Sequence, residues 1–311
     1  MTDSAHHEGG CLCGAVRYHG QLAPDQTATH CFCRMCRKAN GGVFVTWVAL
    51  SSASFSFSHG DPHRFRSSDL AERSFCGTCG GALTFHSIGD PKGPPGVIWA
   101  ALGSLDRPEE IVPTHHIFAA DKPAWLELDD NLPRYPSQLP WIRTQDELAR
   151  PTVSNDDPVP VSSGKDDTLE GGCLCGAIHY HAIRKSSPPA TTCHCSICRK
   201  TTGATLFGSA DFTVADVTFT GGQPRRYRSS GKAERAFCGT CGCHLTFRFV
   251  DDPGDGLSLT IGSMDRPEAI RPTVQLFVAD GLPWLRLKGD MTDWPQGRQA
   301  NTAAQGESPT S

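Results

Sequence analysis

The chain has little that would suit a membrane, secretion or nucleic acid. Its 311 residues contain no apolar run near the roughly 20 residues that a membrane-spanning helix needs. The first ten residues, MTDSAHHEGG, lack the apolar core of a secretory signal. A formal net charge of −4 provides no overall basic field for nucleic acid. We therefore expect a cytoplasmic protein with no membrane contact and no strong nucleic-acid signal.

Helical periodicity is scarce, whereas glycine and proline are plentiful. The 32 glycines and 23 prolines indicate many turns, and 38% hydrophobic residues suffice for packed cores. Short alternating segments such as SASFSFSHG are typical of strands. The nearest helical candidate, CRMCRKANG, is predicted as a short turn bounded by glycines. These observations favour an all-β fold class.

Cysteine is the residue that the chain has in excess. Fifteen cysteines in a sequence without a secretory signal indicate metal ligands rather than a disulfide framework. A reducing, intracellular compartment follows as the expectation.

The sequence repeats itself once. GGCLCGA at 9–15 recurs letter for letter at 171–177, an offset of 162. GSLDRPE at 103–109 matches GSMDRPE at 262–268 with an offset of 159. The change of offset falls in a Gly/Pro-rich loop, where insertions disturb little backbone pairing. The chain therefore consists of two copies of one unit.

The two copies predict two homologous domains of ordinary size rather than a solenoid. Between the copies the sequence is polar and rich in Pro and Ser, which is typical of a flexible linker. The predicted divisions are domain 1 at 8–142, the linker at 143–169, domain 2 at 170–295 and a disordered tail at 296–311.

Four cysteines in each copy have the spacing of a structural zinc site. Pairs of the form C-x-C-G and C-x-x-C-G are separated by 62 residues in both copies. Glycine after each pair permits the left-handed turn that such knuckles need, and four thiolates make a closed tetrahedral site. The predicted structural ligands are Cys11, Cys13, Cys76 and Cys79, and in the second copy Cys173, Cys175, Cys238 and Cys241.

A second cluster in each copy has only three cysteines. These triads are Cys31, Cys33 and Cys36, and in the second copy Cys193, Cys195 and Cys198. Three ligands leave one coordination position for water or substrate, which is the mark of a catalytic zinc site. A thiol bound there would be deprotonated and a carbonyl polarised. The sequence thus predicts up to two Zn²⁺ per domain and four per chain.

An alternative interpretation completes each triad with a histidine and makes it structural. His30 and His194 lie beside the triads in sequence, and His115 or His116 is available from a later segment. The second copy, however, has Val274 and Gln275 where the first has His115 and His116, so that completion would not be common to both. Cys243, an extra cysteine in the second copy, is predicted to be a spare thiol.

Basic residues accompany the cysteine clusters. Near the triads lie Arg34, Arg37, Lys38, Arg199 and Lys200, and a second set consists of Arg64, Arg66, Arg73, Arg226, Arg228 and Arg235. These cations either offset the thiolate charge or hold the carboxylates of a thiol peptide. The sequence leaves both interpretations open.

The motifs together closely resemble the glutathione-dependent formaldehyde-activating enzymes, a family that also includes the centromere protein V-like proteins. GGCLCGA, C-x-C-x-x-CRK, FCGTCGG, GSLDRPE and HIF carry the resemblance, which covers both copies. It implies two tandem Mss4-like (β-tent) zinc-binding domains of short antiparallel strands around a four-cysteine structural zinc. It also implies that the triads are the second, catalytic-type zinc site.

The resemblance implies addition of glutathione to formaldehyde, giving S-hydroxymethylglutathione, a reaction classed as carbon–sulfur lyase in reverse. The expected partners are therefore a small thiol such as glutathione and a small carbonyl. Each copy departs from the family pattern once: the first has Phe32 in place of the histidine of CHC, and the second has Gln275 in place of the histidine of HIF.

Two other functions are compatible with the residues. The first is a non-catalytic, zinc-stabilised binding module for a protein or chromatin partner, although the net charge of −4 disfavours sequence-independent DNA binding. The second is metal buffering or thiol protection by the triads. The enzyme remains the leading hypothesis.

Overall fold

The structure of the chain is a computed structural model that describes residues 6–24, 28–88, 95–137, 168–184 and 188–297. These residues form short strands and two α-helices, and the prediction of an all-β chain with two tandem domains is confirmed. None of the described helices has the length and apolar character needed to span a membrane.

The described residues of the amino-terminal half form ten strands and one α-helix. The strands are β1 (His6–Gly10), β2 (Arg17–Gln21), β3 (Ala28–Cys31), β4 (Val45–Ser51), β5 (Ser56–His59), β6 (His63–Ser68), β7 (Ala71–Phe75), β8 (Ala82–Ser87), β9 (Val97–Ala101) and β10 (Pro113–Ile117). Helix α1 spans Arg34–Asn40, between β3 and β4. The 3-10 helices are Leu102–Ser104, Pro108–Glu110 and Ala119–Asp121.

The described residues of the carboxy-terminal half repeat this order and add an edge strand. The strands are β11 (Thr168–Gly172), β12 (Ile178–Ile183), β13 (Ala190–Cys193), β14 (Phe207–Thr213), β15 (Val217–Gly221), β16 (Arg225–Arg228), β17 (Ala233–Phe237), β18 (His244–Phe249), β19 (Gly256–Thr260), β20 (Val274–Leu276) and β21 (Thr292–Trp294). Helix α2 spans Ser196–Thr202. The 3-10 helices are Val214–Asp216, Ile261–Ser263, Pro267–Ala269 and Val278–Asp280.

Each half folds into one small and one large sheet. The strand orders are β1-β2-β5 and β10-β3-β4-β9-β8-β7-β6 in the first half, and β11-β12-β15 and β16-β17-β18-β19-β14-β13-β20-β21 in the second. Pairing is antiparallel except where β10 lies beside β3 and β20 lies between β13 and β21. A buried tyrosine links the small sheet to the rest of each half: the Tyr18 and Tyr180 hydroxyls lie 2.6 and 2.9 Å from Ser104 Oγ and Ser263 Oγ.

The cysteine-rich segment predicted as a turn is a seven-residue helix in both halves. In α1 the Cys33 side chain caps the amino terminus by accepting a hydrogen bond from the Cys36 N–H, and Gly41 ends the helix in the left-handed conformation at φ 74°. Arg37 and Lys38 lie in the last turn, where cations interact favourably with the helix dipole. The amino-terminal cap, the terminal glycine and the basic last turn explain why this segment is helical. A helix of this length is too short to give a recognisable hydrophobic periodicity in the sequence.

The two halves pack against each other through backbone hydrogen bonds. Gly103 N donates to Gly203 O at 3.0 Å, and Val43 N donates to Leu206 O at 3.1 Å. Glycine is required where the backbones of the two halves cross, since a Cβ on Gly262 would lie 2.0 Å from the carbonyl oxygen of Gly42. The halves thus approach backbone to backbone.

The apolar cores of the two halves are continuous. Leu206, Leu282 and Leu285 of the second half lie in the buried cluster of the first half, and Tyr227 packs against it. In return, Phe65 of the first half packs against the core of the second. Each half therefore completes part of the other's core.

The predicted domain limits fall close to the observed strands. Strand β1 begins at His6, two residues before the predicted boundary, and β11 begins at Thr168 within the predicted linker. Residues 143–167 of the predicted linker and 298–311 of the predicted tail lie outside the described residues.

Candidate metal centres

The four-cysteine groups lie where two turns of the same half meet. Cys11 and Cys13 occupy the turn between β1 and β2, and Cys76 and Cys79 the turn between β7 and β8. The Sγ atoms of each group lie within 4.8 Å of one another. Cys11 and Cys13 are 3.5 Å apart, and Cys13 and Cys76 are 3.7 Å apart. Four sulfurs about 2.3 Å from one zinc ion stand about 3.8 Å apart, so the groups fit this metal.

The second half reproduces this geometry. Sγ separations are 3.4 Å for Cys173 and Cys175, and 3.7 Å for Cys175 and Cys238. In each copy a backbone N–H donates to the sulfur of the first cysteine of the group. Val16 N lies 3.3 Å from Cys11 Sγ, and Ile178 N lies 3.4 Å from Cys173 Sγ. Such N–H groups stabilise thiolate charge, as expected of a metal ligand.

Proximity of the thiols makes their ionisation unequal. Hydrogen bonds from Cys11 and Cys79 lower the pKa of Cys76, whereas contact with Cys11 and Cys76 raises the pKa of Cys79. A dication among the sulfurs would stabilise all four thiolates together. The donor set therefore suits a closed structural site.

Each triad is built by a strand end and the first turn of a helix. Cys31 ends β3, Cys33 is the cap of α1 and Cys36 lies within its first turn. Cys31 Sγ and Cys36 Sγ are 3.6 Å apart, and the three sulfurs lie within 4.8 Å of one another. Cys193, Cys195 and Cys198 have the same arrangement. Cys33 and Cys195 are the partly exposed members, so each triad is reached from their side.

One arginine in each half contacts a triad sulfur. Arg73 Nη2 lies 3.6 Å from Cys36 Sγ, and Arg235 Nη2 lies 3.3 Å from Cys198 Sγ. Hydrogen bonds from Cys31 and Cys33, followed by the charge of Arg73, hold the pKa of Cys36 well below its usual value. The thiolate charge of the triad is thus partly offset before any metal is considered.

Aromatic rings hold these arginines in place. The Arg73 guanidinium lies 5.7 Å from the ring centroid of Trp47 and 5.0 Å from that of Phe85. In the second half the rings beside the arginine are those of Phe207 and Phe247, with centroids 5.6 and 4.9 Å from the Arg235 guanidinium.

Trp47 adds a donor that the sequence analysis missed. Its Nε1–H points to Cys36 Sγ at 3.4 Å. The position 162 residues later is Ser209, so the repeat gave no signal for it. The first triad therefore receives a hydrogen bond from an indole that the second triad lacks at the equivalent position.

The two lysines next to the triads do not face them. Lys38 Nζ lies 2.7 Å from Asp265 Oδ1 of the other half, and Lys200 Nζ lies 2.6 Å from Asp106 Oδ1. Both lysines are therefore interface residues. The hypothesis that they hold substrate carboxylates is not supported.

The other basic residues have mostly structural partners. Four arginines on β6 and β16 bond within the hairpins that these strands form with β7 and β17. The pairs are Arg64 with Glu72, Arg66 with Asp69 O, Arg226 with Glu234 and Arg228 with Gly231 O. Arg34 pairs with Asp265, and Arg199 donates to the backbone oxygens of His194 and Asp280. Arg37 is buried in α1. These contacts favour the interpretation that Arg73 and Arg235 offset the thiolate charge of the triads.

No histidine in the described residues joins either triad. His30 Nδ1 lies 2.7 Å from Thr46 Oγ1, and His194 Nε2 lies 3.0 Å from Gln275 Oε1. Successive side chains of a strand point to opposite faces, so His30 lies on the face away from Cys31. These contacts favour the three-ligand interpretation of the triads.

Cys243 lies outside all four cysteine groups in the described residues. It is fully buried, its Sγ lies 3.5 Å from His244 O, and burial raises its pKa well above the ordinary value. A buried neutral thiol is consistent with the predicted spare cysteine.

Comparison with known proteins extends these observations. The family model described as glutathione-dependent formaldehyde-activating enzyme matches residues 6–121 and 168–280. A protein of Halomonas elongata, provisionally named as such an enzyme, is 32% identical over 132 residues, which cover 39% of this chain and 80% of that protein. An uncharacterised lyase of Schizosaccharomyces pombe is 37% identical over 87 residues, which cover 26% of this chain and 58% of the lyase.

A crystal structure of a Rhodobacter sphaeroides protein aligns with a TM-score of 0.27 and 24% identity, covering 31% of this chain and 87% of that one. The two regions matched by the family model together span well over half of the chain, and each contains one four-cysteine group and one triad. The chain therefore belongs to the glutathione-dependent formaldehyde-activating enzyme family and carries the family domain twice.

Proposed function

We propose that the protein is a zinc-dependent enzyme of the carbon–sulfur lyase type, which adds a glutathione-like thiol to formaldehyde or another small carbonyl. The observation that carries this proposal is the pair of three-cysteine groups, each with an arginine on a sulfur and with no fourth protein ligand in the described residues. Family membership and the names of the two relatives, a formaldehyde-activating enzyme and a lyase, support the reaction class.

The reaction makes one bond and opens another. The sulfur of the thiol forms a bond to the carbonyl carbon, the carbon–oxygen π bond opens, and the proton released by the thiol ends on the oxygen. The reverse reaction cleaves the carbon–sulfur bond. Zinc held by Cys31, Cys33 and Cys36, or by their counterparts, would supply a Lewis acid that stabilises a thiolate and polarises a carbonyl.

The residues of the chain prepare this site in two ways. Cys33 and Cys195 are partly exposed while the other triad cysteines are buried, which opens the site on one side only. Arg73 and Arg235 place a fixed positive charge against the buried sulfur, and this position favours anionic species at the centre. Preorganised charge of this kind requires no reorganisation during the reaction.

The test is the rate of S-hydroxymethylglutathione formation from formaldehyde and glutathione, followed by exchange NMR. We expect the zinc-loaded protein to accelerate exchange over buffer and the double variant Cys36→Ser/Cys198→Ser to return it to the buffer rate. Cys243→Ser, a change of the same type at a buried cysteine outside the groups, serves as the matched control and should retain the rate. Equal rates for the wild type and the double variant would contradict the proposal.

A further inference from the structure

A cluster of three polar side chains lies on the face of β3 opposite the first triad. It consists of His30, His116 and Asp130, whose nitrogen and carboxylate oxygen atoms lie within 4.8 Å of one another. His30 and His116 are 2% and 1% exposed, and their ring centroids are 5.0 Å apart. Two buried imidazoles and a carboxylate form a recognised donor set for divalent transition metals.

The His116 and Asp130 side chains of the cluster bond to each other, and neighbouring groups fix other polar atoms of the cluster. Asp130 Oδ1 accepts from Arg134 Nη2 at 2.9 Å and from Leu132 N at 3.2 Å, whereas Oδ2 lies 3.1 Å from His116 Nε2. His116 Nε2 also lies 3.0 Å from Oδ1. Because Thr46 occupies Nδ1 of His30, its Nε2 is the nitrogen left for a ligand. Two atoms about 3 Å apart can both bind one cation at about 2.0–2.2 Å.

Two buried polar atoms at the cluster have no partner in the described residues. These are His116 Nδ1 and Trp284 Nε1. The Trp284 ring reaches in from the other half, 5.7 Å from the His30 ring, while its counterpart Trp125 donates Nε1–H to Pro267 O at 3.0 Å. Buried unpaired polar atoms are rare and indicate an ion or water at the site. A water molecule at the cluster, free or bound to a cation, would supply an oxygen acceptor for such an N–H group.

The cluster is confined to the first half. His116 pairs with His30 in the strand register, and the equivalent pair in the second half is Gln275 and Thr192. The position equivalent to Asp130 is Gly289. Among the residues that the structure describes, the second half therefore carries no ligand set of this kind, and it provides a natural reference for the first.

We propose that His30, His116 and Asp130 bind a divalent transition-metal ion, with Zn²⁺ the best match, at a site that the second half lacks. Two neutral imidazoles and one carboxylate favour zinc over calcium or magnesium, which prefer oxygen ligands alone. Trp284 places the ion at the boundary of the two halves. The proposal is independent of the triads and their reaction.

The test is cobalt loading of the full chain, because Co²⁺ reports the type of ligand. Thiolate sites give intense charge-transfer absorption, whereas a nitrogen and oxygen site gives only weak visible bands. The variants are His116→Gln, which introduces the residue found in the other half, and Asp130→Asn, which keeps the side-chain shape. The matched control is His115→Gln, the same change at the neighbouring, half-buried position of β10.

The wild type and His115→Gln should bind about one more cobalt per chain than His116→Gln and Asp130→Asn, with equal charge-transfer absorption in all four proteins. Equal cobalt content in all four would overturn the proposal. If His116→Gln also lost thiolate absorption, Asp130→Asn would decide: loss of one cobalt with the absorption intact supports the site, and full cobalt content overturns it.

Discussion

Replacing Asp265 by Asn removes the counterion of an ammonium group that is buried between the two halves. The Lys38 side chain is 7% exposed, and its Nζ lies 2.7 Å from Asp265 Oδ1 and 3.3 Å from Gly172 O. Asp265 is 39% exposed and also pairs with Arg34 at 3.0 Å. The two partners therefore differ: Lys38 loses its countercharge without Asp265, whereas Asp265 keeps Arg34 without Lys38.

The magnitude lies between two limits. Breaking a fully buried pair costs about 3–5 kcal/mol, and exposed pairs contribute about 0–1 kcal/mol. Because one partner is buried and the other is more than a third exposed, we expect Asp265→Asn to lower the free energy of unfolding by about 2 kcal/mol. Lys38→Met, which keeps the apolar stem, should cost less than about 1 kcal/mol.

Urea denaturation followed by tryptophan fluorescence measures both changes. The matched control is Glu72→Gln, which neutralises one member of the Arg64–Glu72 pair on the surface, where Arg64 is 53% exposed. The control should change stability by less than about 1 kcal/mol. A cost for Asp265→Asn no larger than for Glu72→Gln, or smaller than for Lys38→Met, would refute the reasoning.

The same pair predicts a pH dependence. Partial burial opposes ionisation of Asp265, but the hydrogen bond and charge of Lys38 outweigh it, so the pKa of this carboxyl is lowered. The stabilisation is therefore present above the unfolded-state pKa of about 3.9 and is lost as the pH falls through the lower folded-state value. The stability difference between the wild type and Asp265→Asn should shrink between about pH 5 and pH 3, and a difference independent of pH would contradict it.

Three further changes test other parts of the structure. Trp47→Phe removes the N–H donor to Cys36 and should weaken zinc at one site per chain by about 10-fold in competition with a chromogenic chelator; unchanged affinity would contradict a role for the indole. Gly262→Ala forces a methyl group against the backbone of the other half and should lower the free energy of unfolding by about 1–3 kcal/mol. The control Gly231→Ala, with open space around it, should change this free energy by less than about 0.5 kcal/mol. Equal effects of the two changes would count against the close crossing. Cys79→Ser should release one zinc per chain and lower the thermal midpoint of unfolding, and full zinc content would argue against the four-ligand site.

The cysteine groups could be predicted from the sequence because metal ligands impose fixed local spacing, and the repeat showed each spacing twice. The direction of neighbouring side chains was harder to predict. Lys38 is two residues from Cys36, and on a helix such residues face different sides, so α1 directs the lysine to the other half. The prediction of a turn concealed this, because a turn gives no rule for side-chain direction.

Contacts between distant elements lie beyond any sequence pattern. Trp47 reaches Cys36 because β4 runs beside β3, and nothing in the spacing of the two residues indicates this. The cluster of His30, His116 and Asp130 depends on the parallel pairing of β3 with β10. Parallel neighbours far apart in the chain are set by topology, so the three residues appear unrelated in sequence.

The central claim, that each triad leaves a coordination position for a thiol, is tested most directly by ¹¹³Cd NMR of the cadmium-loaded chain. Sites with four thiolates and sites with three give separate resonances. We predict that glutathione shifts the three-thiolate resonances and leaves the four-thiolate resonances in place, while S-methylglutathione, which has no free thiol, shifts neither. Three-thiolate resonances that do not respond to glutathione would contradict the account.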